Sequence, residues 1–269
     1  MRRQIVGISL VRNEDLFIRQ AITNVADFCD RIIILDNSST DNTPKEIEFL
    51  KSTFPHVETH RIRDYRESHA YIAPYADTHT WTLGVDGDEI YDPRGLKQFR
   101  SDLLSGKFDR SWTIFGNVVN CVELDLNEGI AKGYPSPPSR SMTKLFNFRA
   151  LESWDGPCER FHGGKKIFHS GFSESQRLSL HEKVSWEQSD FRCLHLCFVR
   201  RSSMEKHGPR SRLQPGEKPG WLKWLDLFGM GRYFSSKIQT EESEWKADKY
   251  RRGEITSVDT SAFFQHVEK

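Results

Sequence analysis

Residues Leu83 to Asp92 read LGVDGDEIYD, an apolar run that ends in Asp86, Asp88 and Glu89, three carboxylates within four residues. Like charges this close repel one another, so a fold keeps them together only where water surrounds them or a cation sits among them. The residues that lead in, THTWTLGVD, have the composition of a strand running straight into the acidic turn. The rest of the chain has to decide what that turn is for.

Upstream, QIVGISLV (Gln4 to Val11) is a β-branched and apolar run followed by the polar turn RNED. Phe17, Ile18, Ala21, Ile22, Val25 and Phe28 then recur at three- and four-residue spacing, which predicts a helix from about Asp15 to Phe28. RIIILD (Arg31 to Asp36) is continuously apolar, as a strand covered on both faces of a parallel sheet must be, and runs into the loop NSSTDN. Thr43, with Pro44 after it and Glu46 three residues on, predicts a second helix with Thr43 as its N-cap. HVETHRI reads as a third strand, ESHAYIAPYAD as a helix kinked at Pro74, and THTWTLGVD as a fourth strand. This alternation predicts an open, mostly parallel, twisted α/β sheet flanked by helices, with its ligand beyond the carboxyl ends of the strands. Arg12-Asn13-Glu14, Asp36-Asn37-Ser38 and Asp86-Gly87-Asp88 all fall at those ends, so three polar sets face one crevice.

A D-x-D at the end of a buried strand can hold Mg²⁺ or Mn²⁺ through hard oxygen ligands, with a substrate diphosphate completing the coordination. A calcium EF-hand fails on spacing, because Tyr91 stands where the loop needs glycine, and a dinucleotide-binding turn fails because LVRNED contains no G-x-G-x-x-G. The plain alternative makes Asp88, Glu89 and Asp92 helix-capping or solvated acids ahead of PRGLKQF. The tripeptide alone favours that alternative; the two other polar strand ends favour a metal.

Composition narrows the classes. At 269 residues with 36% hydrophobic and 12% aromatic side chains, the chain can build a sizeable core. Lys and Arg (39) nearly cancel Asp and Glu (38), and no dense basic arm occurs, so no nucleic acid is expected as partner. The basic start MRRQIVGISLVRNED breaks its apolar run at Arg12, and no stretch of 18 apolar residues occurs, which leads to the expectation of a cytoplasmic protein. Five scattered cysteines suit reduced thiols better than a disulfide framework.

VGISLVRNED, IIILDNSSTDNT and LGVDGDE, in this order and spacing, resemble glycosyltransferase family 2, whose nucleotide-sugar-binding fold is called GT-A. The blocks cover the first third to half of the chain. The resemblance implies that Val11, Asn13, Glu14 and Asp36 contact the nucleoside of a donor, that Asp86, Gly87 and Asp88 form its D-x-D with Asp88 as direct metal ligand, and that Arg66 reaches toward the diphosphate. It assigns Asp41 to organising the loop before the helix. It also implies Mn²⁺ or Mg²⁺ as cofactor, a nucleoside diphosphate sugar as donor with a UDP-sugar first, and a glycan or lipid-linked acceptor hydroxyl of the kind used in surface polysaccharide synthesis. Inverting transfer comes from the resemblance alone and calls for a base.

The second half offers candidates for that base. SWTIFGNVVNCVE reads as a strand pair or one long strand, DLNEGIAKGYPSPPSRS as a Gly- and Pro-rich loop, and MTKLFNF as a strand. SWDGPCERFHGGKKIFHSGF gathers Asp155, Glu159, His162 and His169. Some members of the family carry W-x-G-x-x-H-E here; this chain has Cys158 in place of that His, and Glu159 is the first choice for the base with Asp155 second. An Arg-paired or solvated acid is the plain alternative. His169 and His195 are each flanked by apolar residues and read singly as hydrogen-bonded core histidines, yet D-x-D sites often gain a His from later in the chain, and either could complete the metal site. Cys193, His195 and Cys197 share a strand face but lack a fourth ligand for zinc.

The domain reading is a GT-A-like unit over 1–199, with nucleotide-sugar binding in 1–110 and the acceptor side in 111–199, then a basic and aromatic C-terminal helical appendage over 200–269. WLKWLDLFGMGRYF within it, Trp221 to Phe234, reads either as a helix resting peripherally on the inner face of an anionic membrane or as a helix packed on the sheet or at a homodimer interface. Two rivals to a glycosyltransferase stand: a metal-dependent nucleotidyltransferase, and a catalytically silent nucleotide-sugar-binding protein.

Overall fold

A computed structural model describes residues 3–156, 164–205 and 249–264. Its first half alternates as the apolar periods require: β1 (Gln4–Val11), α1 (Ile18–Ala26), β2 (Arg31–Asn37), α2 (Thr43–Thr53), β3 (Val57–Ile62), α3 (His69–Ile72) and β4 (Thr80–Gly84). Then follow β5 (Glu89–Tyr91), α4 (Pro93–Ser105), β6 (Thr113–Phe115), β7 (Asn117–Asp125), β8 (Ile130–Ser136), β9 (Lys144–Asn147), β10 (Leu151–Asp155), β11 (Lys165–Phe168), β12 (Arg177–Ser179), β13 (Arg192–His195) and β14 (Thr256–Asp259). The main sheet has the order β12-β6-β9-β4-β1-β2-β3. β4, β1, β2 and β3 run parallel, and β9 enters antiparallel between β4 and β6. The α/β fold with a mostly parallel central sheet flanked by helices is the one the sequence led us to expect.

Two apolar layers hold this sheet. Ile32 and Ile34 of β2 face one side with Ile18, Ile22, Val25 and Leu96, while Ile33 and Leu35 face the other with Val6, Ile8, Ile72 and Trp154. That is why RIIILD is apolar at every position. β1 lies between β2 and β4, so the connections leave β1 toward one edge and return to the other side at β4. This reversal of winding opens the crevice in which an α/β sheet takes a ligand, above the carboxyl ends of β1 and β4.

A second, five-stranded sheet, β14-β8-β7-β13-β5, packs beside the first, and β10 and β11 form a separate hairpin. β8 lies in the segment that reads as a loop in the sequence. It is a strand because Gly133 fits where the partner backbone comes close: a Cβ there would stand 2.3 Å from the carbonyl oxygen of Asn120. Thr43 is the first residue of α2 rather than its cap. Asn42 precedes the helix, the Asp41 side chain accepts the Thr43 amide at 2.9 Å, and the Thr43 hydroxyl accepts the Glu14 amide at 2.8 Å instead. The helix expected around Pro74 is broken into the short α3 between two 3₁₀ turns.

The stretch read as a helical appendage contributes a strand among its described residues: β14 pairs antiparallel with β8, and Phe263 beyond it enters the main core. Trp221 to Phe234 lies outside the described residues. Among the described residues no helix is long and apolar enough to cross a membrane.

Candidate functional site

β1 ends at Val11, paired in register with Asp36 of β2, and both strands run into loops that lock together. Asn13 adopts φ 55°, a left-handed conformation that asparagine tolerates, and its side-chain oxygen accepts the Thr40 amide at 2.8 Å. The Asn13 amide donates to the Ser39 hydroxyl at 3.0 Å, and the Asp36 carboxylate accepts the Ser39 amide at 2.9 Å. Val11, Asn13 and Asp36 thus stand at neighbouring strand ends, with Glu14 buried beside them.

β4 supplies the acidic turn. Gly87 sits against the Glu14 carboxylate so closely that a Cβ would fall 2.0 Å from Glu14 Oε2, which explains glycine between the two aspartates. Asp88 and Glu89 are almost fully buried, at 2% and 0% exposure, and Asp86 is partly exposed. Solvated loop acids they are not. Asp92 does cap α4, accepting the Arg94 and Gly95 amides, and also binds Arg192 at 2.7 Å.

Two basic side chains balance the turn, and neither stood out in the sequence. Lys144 of β9 donates to Asp86 at 2.7 Å and to Glu89 at 3.1 Å. Arg201 is hydrogen-bonded to Asp88 and lies 3.9 Å from Glu14. Burial pushes the Glu89 carboxyl up to about 8, Lys144 opposing and Asp86 and Asp88 adding to the rise. For Arg201 burial works against the charge, but Asp88, Glu14 and Glu205 outweigh it and hold the guanidinium charged.

β13 brings His195 opposite Glu89, and the Leu196 amide donates to the Asp88 carbonyl at 2.8 Å. The imidazole is buried, and Nδ1 meets Asn120 Oδ1 at 2.8 Å; because that oxygen only accepts, Nδ1 carries the proton. Burial lowers the His195 pKa to about 4, with Asp88 opposing, so the ring is neutral near pH 7. Its bare Nε2 then lies 4.0 Å from Asp88 Oδ2. Among the described residues no three of His, Cys, Asp and Glu converge on a single cation position. Asp86, Asp88 and His195 suit a divalent cation only in donor type, and Lys144 and Arg201 already engage the two carboxylates.

His169 cannot join: its Nε2 bonds Asp77 at 2.8 Å, ahead of β4, at the opposite end of that five-residue strand from Asp86. With a rise of about 3.3 Å per residue, the strand alone separates the two ends by well over 10 Å. Arg66 is exposed and pairs with Asp64, which caps its own 3₁₀ turn. Asp155, at the end of β10, has a side chain 94% exposed and lies 4.0 Å from His69. Glu159 and His162 lie outside the described residues. Asp41 organises its loop as expected, and it also accepts the Ser202 hydroxyl at 2.6 Å.

No family model matches the chain. Over 86 residues, 30% of this chain, it is 33% identical to the SPbeta prophage-derived glycosyltransferase SunS of Bacillus subtilis (strain 168), and equally to glycosyltransferase SunS of Bacillus phage SPbeta. The match spans 19% of the length of those curated relatives. Among solved structures, mannosyltransferase PcManGT from Pyrobaculum calidifontis, in complex with GDP-Man and Mn²⁺, overlaps 95% of this chain and 66% of its own, with 14% identity and a TM-score of 0.42. Glucosyl-3-phosphoglycerate synthase from Mycobacterium tuberculosis, in complex with Mn²⁺ and UDP, overlaps 44% of this chain and 43% of its own, with 19% identity and a TM-score of 0.30.

Proposed function

We propose that this chain is a divalent-metal-dependent, inverting glycosyltransferase that moves a sugar from a nucleoside diphosphate donor, a UDP-sugar first, to a hydroxyl of a glycan or lipid-linked acceptor. The observation that carries the reading is the Asp86-Gly87-Asp88 turn at the reversal point of the sheet, its Asp88 buried and faced by the neutral Nε2 of His195. The sequence likeness to SunS supports the transferase class. In this reading Asn13, Glu14 and Asp36 hold the nucleoside above β1 and β2. Asp86, Asp88 and His195 hold Mn²⁺ or Mg²⁺, which when bound supplies positive charge to the departing diphosphate. Asn120 keeps the His195 ring in the tautomer that presents Nε2. Glu159, or Asp155 on the β10 hairpin, takes the acceptor hydroxyl's proton. Residues 111–199 shape the acceptor side, and Trp221 to Phe234 carries contact with a membrane-bound acceptor.

The rival reading, a nucleotide-sugar binder without turnover, draws on the ion pairs already engaging Asp86 and Asp88. Thermal melting against a panel of nucleoside diphosphates, with and without Mn²⁺, tests the proposal, because a ligand that binds only the folded chain raises the midpoint. A metal-dependent shift for one nucleotide that vanishes in Asp88→Ala is the expected result. A nucleotide shift indifferent to both metal and Asp88 hands the case to the rival, and no shift with any nucleotide refutes both.

A further inference from the structure

We propose that Arg201 serves Asp88 and the diphosphate in turn: its guanidinium neutralises Asp88 until donor and metal bind, then leaves the carboxylate for the phosphates. The proposal rests on the metal-dependent reading above.

Arg201 is 6% exposed and its Nη1 bonds Asp88, while its Nε, also buried, has no hydrogen-bond partner among the described residues. A buried donor left in this state is costly unless a ligand comes to it, and a guanidinium fork suits phosphate oxygens. The backbone around it is tied to both loops of the nucleoside end. Leu16 donates its amide to the Arg201 carbonyl at 3.2 Å, Ser202 donates to Asp41, and Ser203 donates its amide to Asp15 at 2.7 Å. Glu205 folds back to accept the Arg201 amide at 2.9 Å. Residues 201–205 therefore form a strap across the β1–α1 and β2–α2 loops, and its buried Arg201 side chain goes to the carboxylate that a metal needs.

Two like-signed charges cannot share Asp88 without repulsion, so a metal approaching alone competes with Arg201, whereas a metal arriving with a diphosphate offers the guanidinium a new anionic partner. Arg201 thereby links the two binding events: each ligand strengthens the other, to the same extent in both directions.

The test follows Mn²⁺ binding by the paramagnetic resonance of the free ion, with and without UDP, in the wild-type chain, Arg201→Gln and Arg201→Lys. Arg201→Gln is expected to bind Mn²⁺ without UDP about tenfold more tightly or better, and to lose most of the UDP-dependent gain, while Arg201→Lys, which keeps the charge but not the fork, holds Mn²⁺ alone near wild type and recovers only part of that gain. Side-chain nitrogen NMR of the wild-type chain is an independent arm: the Arg201 Nε–H signal should shift on adding Mg²⁺ plus UDP and stay in place with Mg²⁺ alone. It decides alone if Arg201→Gln does not fold. Mn²⁺ affinity in Arg201→Gln equal to or below wild type, or an Nε–H signal unmoved by Mg²⁺ plus UDP, overturns the role of Arg201 and leaves the metal reading standing. Mn²⁺ bound by none of the proteins, even with UDP, overturns both.

Discussion

Replacing Lys144 by Met tests the electrostatics of the acidic turn, and the outcome depends on pH in a way the structure fixes. Lys144 is shared between Asp86, whose side chain is 29% exposed, and Glu89, whose side chain is 1% exposed. In the unfolded chain Glu89 titrates at its ordinary value of 4.5; in the folded chain burial raises it to about 8 even with Lys144 opposing. A carboxyl raised in this way stabilises the fold fully below its unfolded pKa, and that stability drains as pH rises through the folded value. Wild type thus loses about 1.4 kcal/mol per pH unit from this group until about pH 8, and then levels off. In Lys144→Met burial acts without that opposition, so the folded pKa climbs further and the loss continues past pH 8. Below about pH 8 the two proteins run in parallel, separated by the lost Asp86 pair. That pair lies between an exposed one worth less than about 1 kcal/mol and a buried one whose breakage costs about 3–5, so the gap is roughly 2 kcal/mol. By about pH 9 it should widen to roughly 3 kcal/mol. Urea unfolding followed by tryptophan fluorescence in reductant, from about pH 6.5 to 9, measures the gap. A gap that stays constant through pH 9 would refute the claim that Lys144 holds the Glu89 charge.

Asp88→Asn should abolish Mn²⁺-dependent nucleotide stabilisation and lower transfer by roughly a thousandfold or more, read as melting shifts and as nucleoside diphosphate release. His195→Ala should weaken Mn²⁺ binding by about tenfold or more, whereas His169→Ala leaves it unchanged; equal effects in a direct Mn²⁺ titration would contradict the separation of the two along β4. His195 also makes an acid-side prediction. Its pKa falls from 6.5 to about 4 on burial, so its contribution is present above pH 6.5 and drains as pH drops toward 4, by roughly 3 kcal/mol, and His195→Gln should flatten that part of the stability curve. Asn24→Ala removes a buried amide that donates to the Tyr91 and Phe263 carbonyls, each at 2.7 Å, and should cost about 2–4 kcal/mol in urea midpoint terms with the slope unchanged.

The strands of the parallel half were legible because burial on both faces demands apolar residues at every position, as in RIIILD, and because polar residues at three strand ends have no use away from a shared crevice. The acidic turn was legible for the same reason. Lys144 and Arg201 were not, since a single basic residue beside an apolar strand carries no period and no spacing; only β9 and the turn after β13 bring them to the carboxylates. His195 and His169 look alike in sequence, each set among apolar neighbours, and pairing of β13 with β5 is what separates them. β8 was hidden by Gly133 and Pro135, which break most strands but here answer a close backbone approach and a strand end.

The chain leaves the acidic turn at Glu205, one hydrogen bond from Arg201, and comes back at Tyr250, whose ring lies 5.6 Å from that of His195. Departure and return are thus pinned to neighbouring side chains of one site, and β14 and Phe263 then anchor the returning chain in the second sheet and the core.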